Sequence, residues 1–185
     1  MKLLIYLSYL FFLSEFILAI VKRSSKSNSS IQNDKGSLIL LWITITICFT
    51  GGFMFANYRI WELMNFVVYY IGLLFILIGI TIRWMAIIQL KKAFTVNVAI
   101  VKEHKLKDDG IYRIVRHPSY LGLLIIMVGF SIGMNSVTSI IIVAIPMVIV
   151  ILYRIYVEEK VLINAFGDDY KVYRTKTKKL IPWLY

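Results

Sequence analysis

A chain of 185 residues that is 59% apolar, carries a formal charge of +11 and gathers its apolar residues in long runs is too hydrophobic to close around a soluble core. A hydrocarbon layer of about 30 Å needs roughly 20 apolar residues per helix, and several runs here have that length. The single cysteine, Cys48, excludes an intrachain disulfide and leaves no cysteine cluster for a metal.

Lys2 to Val21 is the first apolar segment. Glu15 interrupts it, no small-x-small cleavage site stands out, and Lys22-Arg23 follows like a stop-transfer flank, so it reads as a retained helix rather than a signal peptide. A carboxyl at membrane depth calls for a partner, and Glu15 is expected to pack or pair inside the bundle. The Ser/Asn/Lys-rich stretch from Lys22 to Gly36 is a hydrophilic loop. Ser37 to Asn57 is the second span, and Tyr58 to Asn65 is a short connection. The third span runs from about Phe66 to Ile88, with Gly72 and Gly79 on one face. Arg83 and Trp84 fall near its end, where an arginine reaches headgroups.

Lys91 to Arg116 is the longest polar segment and holds His104; His117 follows directly. Pro118 to Met134 is the fourth span, ending in the small-residue motif Gly129-x-x-x-Gly133. Asn135-Ser136 allows only a tight turn, so Val137 to Tyr156 returns beside it as the fifth span, with a kink expected at Pro146. The tail from Val157 to Tyr185 starts helical and closes on Ile181-Pro182-Trp183, an interfacial lock. The pattern predicts an all-α polytopic membrane bundle of about five transmembrane helices. It forms one domain over 1–185, with three spans in 1–90 and the polar loop, last hairpin and tail in 91–185.

Most lysines and arginines lie in the 22–36 loop, the 91–117 loop and the tail. The positive-inside rule then puts the N-terminus outside and the C-terminus in the cytoplasm. Topology and anionic lipid explain the charge, and nucleic acid is not needed.

The distinctive polar residues converge on that inner face. Gly110-Ile-Tyr-Arg-Ile-Val-Arg-His-Pro-Ser-Tyr-Leu-Gly122 leads into the fourth span, and the fifth leaves as Arg154-Ile-Tyr-Val-Glu158-Glu159. Pro118 suits the first turn of a helix and pushes His117 towards extended backbone. Arg154 and Glu158, four apart, share a helical face. Since the 135–136 turn brings the two ends together, His117, Tyr120, Arg154 and Glu158 should face one another. A bland alternative is an interfacial anchor in which Arg116 and Tyr120 snorkel, His117 caps, and Arg154 and Glu158 merely pair. No Gly-x-Gly-x-x-Gly, phosphate loop or His-Glu-x-x-His is present. A metal held by His104, His117 and Glu159 has little support from spacing, so none is expected.

The chain resembles the isoprenylcysteine carboxyl methyltransferases and their bacterial relatives over roughly Arg83 to Tyr185. The resemblance rests on Arg83-Trp84, Phe94-Thr95, His104-x-Leu106, Gly110-x-Tyr112 and Arg116-His117-Pro118-Ser119-Tyr120-x-Gly122. It continues through Arg154-x-x-x-Glu158-Glu159, Phe166-Gly167-x-x-Tyr170-x-x-Tyr173 and Ile181-Pro182. It implies an integral-membrane methyltransferase that uses S-adenosylmethionine. By the same resemblance His104, Lys105, Leu106, Lys107, Tyr112, His117, Pro118, Ser119, Tyr120 and Glu158 would line the cofactor site. Arg154 would meet the acceptor's carboxylate, and Arg116 and Glu159 join it as catalytic candidates. The implied partner is a lipid-like or prenylated small-molecule or peptide acceptor within membrane lipid.

A carboxylate is ionised at pH 7 and needs no general base, whereas a phenol, enol or amine on another lipid would make His104, His117 or Glu159 base candidates. An NADPH-dependent sterol-reductase-like enzyme and a non-enzymatic membrane scaffold are the competing classes.

Overall fold

A computed structural model describes residues 2–21, 36–58, 61–63, 65–90 and 106–184. Five long helices account for most of them: α1 (Lys2–Val21), α2 (Gly36–Asn57), α3 (Phe66–Leu90), α4 (Pro118–Gly133) and α5 (Val137–Lys176). α2, α3 and α5 are long and apolar enough to cross a membrane, while α4, of 16 residues, is shorter. α3 packs chiefly on α4, α2 on α5, and α4 on α5.

The α3–α4 seam is made by glycines. A Cβ on Gly72 would lie 2.6 Å from the Gly133 Cα and 2.7 Å from the Gly129 carbonyl oxygen, and one on Gly122 would lie 2.7 Å from the Arg83 nitrogen. The Gly129-x-x-x-Gly133 motif therefore packs within the chain, backbone against backbone. Between the remaining helices Phe11, Phe12, Phe49 and Phe130 meet edge-on, with centroids 5.1 to 6.0 Å apart. Ser139 Oγ donates to the Gly52 carbonyl at 2.7 Å, tying α5 to α2.

At the end of the bundle opposite the polar cluster, Asn135 takes φ 59 in the tight turn and the Ser136 side chain caps α5 by accepting from the Ser139 amide. The turn is held by the α2–α3 connection, through Leu63 N to Asn135 O at 2.9 Å and Val137 N to Trp61 O at 3.1 Å.

Two expectations change. α5 runs on past Pro146 and breaks at Gly167 (φ 55, ψ −124), where no break was expected, so its last turns, 168–176, set off in a new direction. Arg83 does not reach for headgroups. It is buried, 9% exposed, and pairs with Glu15 on α1. A charge held that deep in an apolar bundle is stabilised by a partner closer than water.

Candidate active site

The chain before α4 and the tail after α5 run side by side. Arg116 N donates to Lys178 O at 2.8 Å, His117 N to Lys179 O at 3.2 Å, and Lys178 N to Ile114 O at 3.2 Å. Upstream, Gly110 adopts φ 58 as it opens a single 3-10 turn, Gly110–Arg113, and the Ile111 amide is capped by Gln89 Oε1 of α3 at 3.0 Å. Tyr112 points into the bundle and donates to the Ala86 carbonyl at 3.2 Å, while Tyr173 donates to the Tyr112 carbonyl at 2.6 Å. Burial, reinforced by the nearby Glu158 charge, pushes the Tyr112 hydroxyl well above the usual phenol range, so it remains a donor at all physiological pH.

This frame presents the start of α4. Pro118 takes the first helical position, and His117 before it sits at φ −122, ψ 58, without using its side chain as a cap. Tyr120, one turn in, accepts from Arg154 Nε of α5 at 3.1 Å, and Arg154 Nη1 donates to the Ser37 hydroxyl at the start of α2. Arg154 is 1% exposed, so its charge is buried among hydroxyls where three helices meet. One turn further along α5, Glu158 is half-buried, and its charge acts on the hydroxyls of Tyr112, Tyr120 and Tyr170. A cation and an anion thus stand one helical turn apart beside an array of tyrosines. The His117 and Tyr120 rings lie 5.9 Å apart at the same mouth.

Glu159, the next residue, faces the other way. Its Oε1 accepts from Arg116 Nε at 2.9 Å, stands 3.5 Å from the buried His117 Nε2 and 3.5 Å from the Tyr170 hydroxyl, and Arg174 approaches its Oε2 at 3.8 Å. Arg116 also donates to the Thr177 and Arg174 carbonyls. Arg116 does not snorkel, and neither does Tyr120, whose hydroxyl meets Arg154. Together Arg116 and Glu159 pin the tail across the entrance of α4.

His117, Tyr120, Arg154 and Glu158 therefore meet at one mouth, with Pro118 and Ser119 in the same turn. Leu106 and Lys107 are half-buried ahead of the 3-10 turn, where Lys107 pairs with the exposed Asp109. His104 and Lys105 lie outside the described residues, as do Phe94-Thr95. Arg116 and Glu159 face each other across the tail rather than the Arg154 mouth. Sequence reasoning missed Ser37 and its contact with Arg154, because a serine at the edge of a polar loop carries no spacing signal towards a residue 117 positions away.

A family model and a full-length relative show the family to which the chain belongs. Residues 71–164 match the model of the isoprenylcysteine carboxyl methyltransferase (ICMT) family. The chain is 31% identical over 184 residues to protein-S-isoprenylcysteine O-methyltransferase A of Arabidopsis thaliana, covering 96% of this chain and 91% of the relative. A shorter similarity, 35% over 85 residues, links it to methanethiol S-methyltransferase 1 of Bradyrhizobium diazoefficiens and covers 43% of this chain and 27% of that enzyme. In three dimensions the fold is similar to that of the eukaryotic intramembrane Ras methyltransferase ICMT, with a TM-score of 0.69 at 23% identity. That match covers 96% of this chain and 64% of the other.

Proposed function

The chain belongs to the isoprenylcysteine carboxyl methyltransferase family and is an integral-membrane methyltransferase, and from that premise we propose that it methylates the carboxylate of a prenylated cysteine, or of a closely similar amphiphile, with S-adenosylmethionine as donor. The observation that carries this reading is the opposition of Arg154 and Glu158 at the joined mouths of α4 and α5. Arg154 offers a planar, permanently charged fork, which suits a carboxylate. Glu158 among tyrosine faces suits a molecule bearing sulfonium and ammonium groups. The residues fit the donor for a second reason: His117 is buried at the same mouth, its ring 5.9 Å from that of Tyr120, so the half-buried Glu158 carboxylate has aromatic and imidazole faces around it.

When bound, S-adenosylmethionine supplies an electrophilic methyl group. Everything else falls to this chain's residues. Glu158, Tyr120 and the His117–Tyr120 turn hold and orient the donor from the loop side. Arg154 orients the acceptor's carboxylate from the α5 side, with Ser37 and Tyr120 fixing its guanidinium plane. An acceptor carboxylate with a reference pKa of about 3.3–3.7 is already ionised at neutral pH, so no side chain needs to remove a proton. The work is positioning, together with exclusion of water from the carboxylate by the surrounding apolar helices. The acceptor's apolar tail stays in the bilayer. The basic loop and tail support a cytoplasmic placement of this mouth, with the N-terminus outside.

A second reading follows from the similarity to a methanethiol S-methyltransferase. A thiol, phenol or amine acceptor must lose a proton, and His117 and Glu159, 3.5 Å apart, are the residues placed to manage it. Methyl-labelled S-adenosylmethionine presented with a farnesylcysteine analogue, and separately with a membrane lipid extract, distinguishes the two. Labelled methyl ester with a rate that is flat across neutral pH is the expected result. No ester, with label on a thiol, phenol or amine and a rate that climbs with pH, overturns the carboxylate assignment.

A further inference from the structure

The bundle holds a second buried charge pair away from Arg154. Glu15 of α1 and Arg83 of α3 meet at two points, Nε to Oε1 at 2.5 Å and Nη2 to Oε2 at 2.7 Å, with Glu15 5% exposed. The third nitrogen, Nη1, donates both to the Ser119 carbonyl at 3.1 Å and to the Ser119 hydroxyl at 3.0 Å. Ser119 lies between Pro118 and Tyr120 in the first turn of α4. The glycine seam brings α3 and α4 into backbone contact at this level, since a Cβ on Gly122 would strike both the nitrogen and the Cβ of Arg83. The backbone that carries Arg83 is therefore pressed against the helix whose first turn its guanidinium holds.

We propose that Glu15 and Arg83 are positioning residues for the methyl-donor site: the carboxylate fixes the guanidinium plane, and the opposite edge of that plane fixes the His117–Tyr120 turn against Arg154. The inference rests on the donor site assigned above to residues 117–120. A buried ion pair kept only for stability is a poor bargain, because apolar residues of similar volume often serve as well. What sets this pair apart is its third contact, which spends the remaining donor on a turn of functional residues rather than on a helix interior. It also gives α1, which lies outside the 71–164 segment matched by the family model, a direct connection to the site.

The test uses full-length protein in lipid nanodiscs with three readouts: unfolding temperature, calorimetric affinity for S-adenosylhomocysteine, and hydrogen exchange of the first turn of α4 without ligand. The informative variant is the exchange Glu15→Arg with Arg83→Glu, which restores opposite charges but moves the guanidinium to α1, away from Ser119. It should regain most of the stability lost by either single change. Affinity should stay about tenfold or more below wild type, and exchange at 119–123 should be faster. Arg83→Lys, whose single ammonium cannot grip Glu15 at two points and Ser119 at two more, should behave likewise should the double variant fail to fold. Wild-type affinity and wild-type exchange in a folded variant would reduce the pair to a bundle clamp and overturn the proposal. Failure of the wild-type protein to bind S-adenosylhomocysteine overturns the donor assignment instead, while the ligand-free exchange still decides whether the pair holds the turn.

Discussion

Arg154 donates to the Tyr120 hydroxyl at 3.1 Å across 34 residues of sequence, joining the exit of α5 to the entrance of α4. That bond makes the mouth of the hairpin a single unit, and it couples the residue proposed for the acceptor to the turn proposed for the donor. Tyr120→Phe keeps the ring and removes the oxygen that holds Arg154 Nε. The acceptor KM is expected to rise several-fold, with about 1 kcal/mol lost in stability, the usual worth of one hydrogen bond. Arg154→Lys keeps the charge and loses the fork, so its acceptor KM should rise tenfold or more, equivalent to about 1.4 kcal/mol. Initial rates at saturating donor measure both. An Arg154→Lys enzyme with unchanged acceptor KM would remove Arg154 from the acceptor site.

Glu158 and Glu159 are neighbours with opposite expectations. Glu158 is half-buried among tyrosine hydroxyls, whereas Glu159 is buried against Arg116, His117, Tyr170 and Arg174. Glu158→Gln should therefore lower affinity for S-adenosylhomocysteine by tenfold or more and leave the unfolding temperature close to wild type. Glu159→Gln strips the countercharge from a buried arginine, which costs about 3–5 kcal/mol when one partner of such a pair is removed. Calorimetry and thermal unfolding on the two variants give the comparison. If both lose affinity and neither loses stability, Glu159 belongs to the ligand site after all.

The helices were legible in the sequence because membrane spans are written in run length, and the hairpin because Asn135-Ser136 leaves no room for anything but a turn. The meeting of His117, Tyr120, Arg154 and Glu158 followed from those two facts alone. Side-chain partners across distant helices were not legible in the same way. Glu15 and Arg83 are 68 residues apart, and Arg154 and Ser37 are 117 apart. Nothing local distinguishes an arginine that reaches headgroups from one that turns inward to a carboxylate. Arg83 turns inward because its partners, Glu15 on α1 and Ser119 on α4, are brought to it only when the helices pack. The Gly167 break was hidden for a related reason: one glycine within a helical pattern is tolerated as often as it terminates.

Close approach between α3 and α4 depends on the absence of side chains at the seam. Gly72→Ala would set a methyl 2.6 Å from the Gly133 Cα, with backbone rather than a flexible side chain in the way. The helices must part, and overpacking of this kind costs about 1–3 kcal/mol or more. Gly51→Ala meets only Ile142 Cγ2, at 3.5 Å, an ordinary contact, and should be neutral or slightly stabilising through helix propensity. Thermal unfolding of the two variants in the same lipid checks the difference. Equal loss at both positions would show that the seam is not the limiting contact.

Gly167 offers the converse case, where a substitution meets no obstacle and still fails. Nothing lies within 4 Å of a Cβ placed there, so any penalty comes from the backbone: φ 55 with ψ −124 is a region essentially reserved for glycine. Gly167→Ala should cost about 1–3 kcal/mol on that ground alone. The loss has a direction. Residues 168–176 carry Tyr170, Tyr173 and Arg174 back to the loop, and Tyr173 holds the Tyr112 carbonyl at 2.6 Å. Straightening α5 at 167 would pull these away from Tyr112 and Glu159 and free the chain ahead of α4. Hydrogen exchange should therefore quicken at 112–117, where amides bond to the tail and the 3-10 turn, and affinity for S-adenosylhomocysteine should fall with it. Unchanged protection at 112–117 in the alanine variant would mean that the tail merely lies on the loop and does not clamp it.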